Sequence, residues 1–253
     1  MPFQYDTFDE WAWQKWGTSL TGLRLRTQDS LLTLGKPRLR ELHANIRRHL
    51  HEASETWPGY DYGHGYLYQS SPTLALSGRR NTRTRLQALS IAQYVRGATV
   101  LDIGCNSGFI SLEIAREAKE VLGFDVNPFL IAVAEDSARY LGLTNTKFLV
   151  SSFAEFSTDN RYDAVLSLSN HFTYDGDMYP TIEGYLARCR GWLKPGGTFI
   201  FESHTPKFEA RHGTIDELRQ TLNRHFVQVF TEMSSTGTAL DRHRMLYVGR
   251  LRQ

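Results

Sequence analysis

Two cysteines in 253 residues, Cys105 and Cys189, are too few and too far apart for a disulfide framework or a thiolate metal site. Their scarcity fits a reducing compartment. No apolar run approaches the roughly 18 residues that a bilayer-spanning helix needs. The opening MPFQYDTFDEWAW has no basic stretch followed by an apolar core, so no export signal is expected either. Cytoplasmic location without a membrane partner follows as the expectation. An excess of one charge is missing too: 29 Lys and Arg against 27 Asp and Glu leave +2. That balance argues against wholesale nucleic-acid binding, although a local basic patch remains compatible with it. Internal repeats and low-complexity tracts are absent. What is present, 41% hydrophobic and 22% charged residues, suits one large globular domain or a domain with an appendage.

The chain divides in texture near residue 90. Residues 1–90 carry Trp11, Trp13 and Trp16, then a segment in which Leu39, Leu42, Ile46 and Leu50 recur at helical spacing. A Gly-, Tyr- and Ser-rich stretch follows, with Tyr60, Tyr62, Tyr66 and Tyr68, and it reads as an ordered cover. The tryptophans are expected in the core of a helical cap. Residues 91–253 alternate strand and helix: ATVLDIG, SGFISLEIAREAK, EVLGFDV, NPFLIAVAEDSARYLGL, TKFLV, YDAVLSLS, MYPTIEGYLARCRGWL and TFIFES. HFVQVFTEMSS and RHRMLYVGRL close the chain as a hairpin. The expected fold is α/β: a doubly wound seven-stranded sheet, mostly parallel with an antiparallel terminal strand, plus an N-terminal helical cap.

In such sheets ligands bind beyond the carboxyl ends of the strands, where the strand order reverses. The loop there is VLDIGCNSGF, residues 100–109. Gly104 and Gly108 remove Cβ atoms that would block a ligand, and Asn106 tolerates a left-handed backbone. The dinucleotide fingerprint fails, because Asn106 and Phe109 stand at its second and third glycine positions. A phosphate loop fails for want of Gly-Lys-Ser/Thr. Asp102 suits a ligand carrying positive charge. Asp125, twenty-one residues after Gly104, ends the second strand and is placed to accept hydrogen bonds from ribose hydroxyls.

LDIGCNSG, GFDVNP, YDAVLSLSN and LKPGGTFIFES, in that order over residues 98–204, resemble the class I S-adenosylmethionine (SAM)-dependent methyltransferases. The resemblance implies SAM as cofactor, with Asp102 near the methionine amine and Gly104 beside the carboxylate end. It implies further contacts from Asn106, Gly108, Asp125, Val126 and Asn170. Many members carry an acid after strand three; here Ser152 stands there, able to hydrogen-bond the base, with Phe153 to pack on its face. YLYQSS and GRRNTRTRL resemble the lead-in of a subgroup in which Tyr68 and Gln69 would reach over the cofactor; Tyr68 alternatively packs between lid and sheet.

Methyl transfer is an in-line displacement that the protein assists mainly by alignment. His171 and His204 are the candidate bases, with Glu202 able to orient one. Tyr174 can face a sulfonium by cation–π attraction, and Ser203 completes the catalytic candidates. Arg79, Arg80, Arg83 and Arg85 form the densest basic run and are expected on a solvated surface. Transfer to a nitrogen or oxygen of a small molecule is the leading reading. Methylation of tRNA and SAM self-cyclisation to an azetidine, which releases methylthioadenosine, are the alternatives.

Overall fold

The computed structural model describes residues 20–56, 67–78, 80–171, 181–204, 213–234 and 243–252. Two helices lead, α1 (Leu20–Leu32) and α2 (Pro37–Thr56). Two-residue strands β1 (Gln69–Ser70) and β2 (Arg80–Asn81) pair in parallel. Helices α3 (Thr82–Leu89) and α4 (Ala92–Val95) then deliver the chain to the main sheet. Its strands and helices alternate: β3 (Thr99–Ile103), α5 (Phe109–Ile114), β4 (Glu120–Asp125), α6 (Pro128–Leu141), β5 (Thr146–Val150), β6 (Tyr162–Leu168), α7 (Ile182–Gly191), β7 (Leu193–Glu202), α8 (Ile215–His225), β8 (Val227–Ser234) and β9 (Arg244–Arg250).

The seven-stranded order is β5-β4-β3-β6-β7-β9-β8, parallel throughout except for β9, which runs antiparallel to both β7 and β8. Order reverses at β3, so the glycine loop sits at the switch point, as expected. Alternation along the strands separates two core layers. Leu101, Ile103, Phe199 and Phe201 face an aromatic layer with Phe124, Phe156 and Trp192. Val100 and Ile200 turn the other way, into an aliphatic layer with Ala164 and Leu166.

Local chemistry explains the helix starts. Asn127 caps α6 by accepting from Phe129 N at 3.0 Å and Leu130 N at 3.3 Å, Pro128 sets the first turn, and Gly142 at φ 68° ends it. Asn81 caps α3 through Thr84 N at 3.0 Å. Helix α8 was not among the expected elements, although Thr214 and Glu217 announce it with a reciprocal capping box.

Leu39, Leu42, Ile46 and Leu50 are buried, as their spacing predicts. They share one core with Phe109, Ile131, Ala134 and Phe148, which places α2 against the helical layer of the sheet beside α6. Trp11, Trp13, Trp16, Tyr60, Tyr62, Tyr66, Arg79 and Tyr174 lie outside the described residues. Among the described residues, no helix is long and apolar enough to cross a membrane.

Candidate functional site

The site is built at the carboxyl ends of β3, β4, β6 and β7. Gly104, Asn106 and Gly108 all take positive φ (62°, 53° and 70°), so the loop after β3 is a left-handed turn at three positions. Asn106 N donates to Asp125 Oδ2 at 2.9 Å, and Asn127 N donates to Asp125 Oδ1 at 3.0 Å. The half-buried Asp125 is thereby fixed at the tip of β4, with Val126 half-buried beside it.

The glycines also meet the protein closely. A Cβ on Gly104 would lie 2.9 Å from Asn170 Nδ2, and one on Gly108 would lie 2.6 Å from Ala134 Cβ and 2.9 Å from Phe148. The space they leave is filled by protein: by the Asn170 amide in one case and by α6 and β5 in the other. At the start of α5, Gly108 therefore leaves no room for a side chain against Ala134 and Phe148.

The Asn170 side chain is engaged within the protein. Its Nδ2 donates to Ile103 O, and its Oδ1 accepts from Ser167 Oγ at 2.7 Å and Tyr185 Oη at 3.0 Å. The amide is spent on holding the end of β6 to the end of β3. It shapes the glycine loop from behind.

Asp102 is 3% exposed and accepts from Ser111 Oγ at 2.5 Å. Burial pushes its carboxyl up to about 6, opposed by the Ser111 hydrogen bond and by the Arg85 charge. Gln69 is also buried, and its Oε1 has no hydrogen-bond partner among the described residues.

Glu202 proves to be an ion-pair hub. It is fully buried, and its Oε2 accepts from Arg85 Nη2 and Ser169 Oγ. Arg244 Nη1 stands at 3.5 Å from the same oxygen and Arg80 Nη2 at 3.9 Å. The three guanidiniums hold Glu202 well below the usual carboxylate range against the opposing effect of its burial. Among the described residues its hydrogen bonds go to none of the histidines; its charge partners are the three guanidiniums. The expected solvated surface is corrected for two members of the run: Arg80 and Arg85 are each 2% exposed, while Arg83 faces solvent. Sequence spacing separated Arg83 from Arg85 correctly, yet nothing in it revealed the carboxylate 117 residues away.

Ser203 is likewise committed. Its Oγ donates to His204 O at 2.7 Å and accepts from Met245 N at 2.8 Å, which fastens β7 to β9. Ser152 caps a turn, its Oγ donating to Glu155 Oε2 and accepting from Glu155 N, both at 3.1 Å. Phe153 stacks on Tyr185 with centroids 4.4 Å apart and meets Trp192 edge-on, so the ring belongs to the aromatic core. Tyr68 accepts from Arg80 Nη1 at 3.0 Å and lies under that guanidinium.

The two histidines do come together. His171 is buried and His204 half-buried, with ring centroids 5.0 Å apart at the tips of β6 and β7. Burial first, then His171 and Arg244, push His204 well below the ordinary histidine range. Its imidazole is neutral at neutral pH.

Residues 95–244 match the methyltransferase-domain family. Among curated proteins, the ubiquinone biosynthesis O-methyltransferase of Cereibacter sphaeroides is 36% identical over 104 residues, 41% of this chain and 40% of that protein. The enzyme of the same name from Methylococcus capsulatus is 27% identical over 120 residues, 47% of this chain and 48% of that one. The chain therefore spans less than half the length of these curated relatives. Among solved structures, N-methyltransferase NodS from Bradyrhizobium japonicum with S-adenosylhomocysteine superposes at TM-score 0.54 and 20% identity, over 67% of this chain and 85% of that one. Magnesium protoporphyrin IX methyltransferase from Synechocystis, with bound SAM, gives 0.53 and 20%, over 68% and 78%. These structures share the fold. With the family matched over residues 95–244 and the loop, acid and sheet order in place, the chain belongs to the class I SAM-dependent methyltransferases.

Proposed function

We propose that the protein transfers a methyl group from SAM to a nitrogen or oxygen nucleophile of a small molecule. The observation that carries this reading is the pinned Asp125. Two backbone N–H groups hold an ionisable carboxylate at the rim of the switch-point crevice, and a carboxylate accepts up to about four hydrogen bonds. Neighbouring ribose hydroxyls are suitable donors.

The remaining residues fit the amino-acid end of the same cofactor. The Gln69 Oε1 buried without a partner among the described residues calls for a donor, and an ammonium is one. Asp102, held up near 6 by burial, gains by having a cation beside it. Strand β1 carries Gln69 opposite Arg80, and Arg80 reaches the Glu202 hub at the tip of β7.

When bound, SAM supplies a methyl carbon activated by its sulfonium. The S–CH3 bond breaks as the acceptor–CH3 bond forms, S-adenosylhomocysteine leaves, and the acceptor sheds a proton. The neutral imidazole of His204, paired with His171 at the tips of β6 and β7, is the group that receives a hydrogen bond or proton from the acceptor. Its depressed basicity suits transient transfer onward to water. The O-methyltransferase relatives support a hydroxyl acceptor, although their similarity covers the cofactor half. Incubation with labelled SAM and a panel of small amines and phenols tests the reading. Acceptor-dependent S-adenosylhomocysteine is expected; methylthioadenosine as the sole product would overturn it.

A further inference from the structure

The turn between α1 and α2 lies outside the residues that match the family. From Leu31 to Arg38 only Thr33 is buried. Leu31, Leu32 and Leu34 are 60%, 44% and 68% exposed. This is a closed turn and not a fraying end. Thr33 N donates to Ser30 O at 3.2 Å, Leu34 N to Leu31 O at 3.1 Å and Lys36 N to Thr33 O at 3.0 Å, with Gly35 left-handed at φ 71°. Helix α1 is tied to the body from its other side, where Asp29 accepts from Ser77 N at 2.7 Å and Ser77 Oγ at 2.6 Å. The three leucines thus project from a braced hairpin.

Cations surround them. Lys36, Arg38 and Arg40 follow the turn, Arg24 and Arg26 precede it, and all five are exposed. The acids in this stretch are Asp29, engaged by Ser77, and Glu41. Five cations against two acids give residues 24–41 a formal charge of +3, against +2 for the whole chain.

We propose that the α1–α2 tip docks on the surface of a bilayer bearing anionic headgroups. Leu31, Leu32 and Leu34 enter the boundary between headgroup and acyl chain, and the flanking cations meet lipid phosphates. The occupant follows from the two chemistries together. A nucleic acid offers phosphates but no apolar phase for three leucines, and a neutral membrane offers the apolar phase without the charge. Docking is peripheral, and nothing in it requires a spanning segment.

Vesicle co-sedimentation of the full chain tests this. The probes are vesicles of phosphatidylcholine alone and of three parts phosphatidylcholine to one part phosphatidylglycerol. Binding to the anionic vesicles alone is expected, weakening as salt is raised. Each cation near an anionic surface is worth about fivefold, so Lys36→Glu with Arg40→Glu should lower binding by at least about tenfold. Arg38 is left in place because its guanidinium stands 6.0 Å from the Tyr140 ring centroid. Leu31→Ser, Leu32→Ser and Leu34→Ser together should abolish sedimentation; Leu34→Ser alone, at the most exposed of the three, should weaken it measurably. An unchanged melting temperature controls for folding. Absence of vesicle binding, binding indifferent to both the leucine and charge variants, or tRNA bound equally well by the wild type and the leucine variant would each overturn the proposal.

Discussion

Asn106 and Asp125 are joined by a 2.9 Å hydrogen bond from the backbone of one loop to the side chain that ends the next strand. The contact makes the glycine turn and the acid at the tip of β4 a single rigid unit. Removing the acid should therefore affect two things at once. Asp125→Ala is predicted to weaken SAM binding by at least roughly 1.5–3 kcal/mol, the range for one charge-assisted hydrogen bond, and to loosen residues 104–108. Titration calorimetry checks the first and amide hydrogen exchange the second. Unchanged affinity would mean that the ribose is held elsewhere.

Asp102 predicts a pH dependence. Its folded value, about 6, lies above the ordinary 3.8. Folding thus favours the protonated form, and the stability linked to that proton is present below pH 3.8 and lost as pH rises through 6. A cofactor ammonium needs the ionised form. SAM affinity should therefore climb between pH 5 and 7 and level off above. Asp102→Asn should flatten that profile, weaken binding at pH 7.5, and raise the stability of the ligand-free protein there by up to about 3 kcal/mol. Denaturant melts and calorimetry across this range check both parts. A profile unaltered by Asp102→Asn would assign the titration to another group.

Glu202 separates a structural hub from a catalytic carboxylate. Glu202→Gln leaves Arg80, Arg85 and Arg244 buried around a neutral amide, a change that costs about 3–5 kcal/mol when a buried pair is broken. A large fall in melting temperature is expected. Full stability with a selective loss of kcat would show that Glu202 acts in chemistry after all.

Gly108 is predicted to be intolerant for reasons of packing. Gly108→Ala adds a methyl 2.6 Å from Ala134 Cβ at a φ of 70°, and both strain and overpacking act, at roughly 1–3 kcal/mol each. Chemical denaturation should show the loss in the absence of any ligand. A variant of normal stability with impaired SAM binding would restore Gly108 to the ligand-facing role.

Elements set by local pattern were readable in the sequence. Thr146–Val150 is the strand that TKFLV spelled out, and Leu39, Leu42, Ile46 and Leu50 are buried as their spacing required. The loop at the switch point and Asp125 at the second strand tip were equally readable, because sheet topology alone dictates where they stand. Helix α8 carries a local signal as well: Thr214 and Glu217 sit three apart ahead of Leu218 and Leu222. The side-chain commitments of Asn170, Ser203 and Glu202 were not readable. Each depends on a partner brought close only by folding, Ile103, Met245 and Arg85 respectively, at sequence separations of 67, 42 and 117. Rim position made Ser203 and Glu202 catalytic candidates and the resemblance made Asn170 a cofactor contact; the tertiary hydrogen bonds of all three are visible only in the fold. The partner of Phe153 was equally unreadable, since a phenylalanine after a strand is apt for a base or for the core that Tyr185 supplies.

The central claim is that a cationic nucleoside occupies the crevice at β3 and β4, gripped by Asp125. Isothermal titration of the folded chain with SAM and with S-adenosylhomocysteine tests it most directly. Saturable heat with both ligands, much reduced in Asp125→Ala, is the predicted result. No heat with either ligand on well-folded wild-type protein would contradict it.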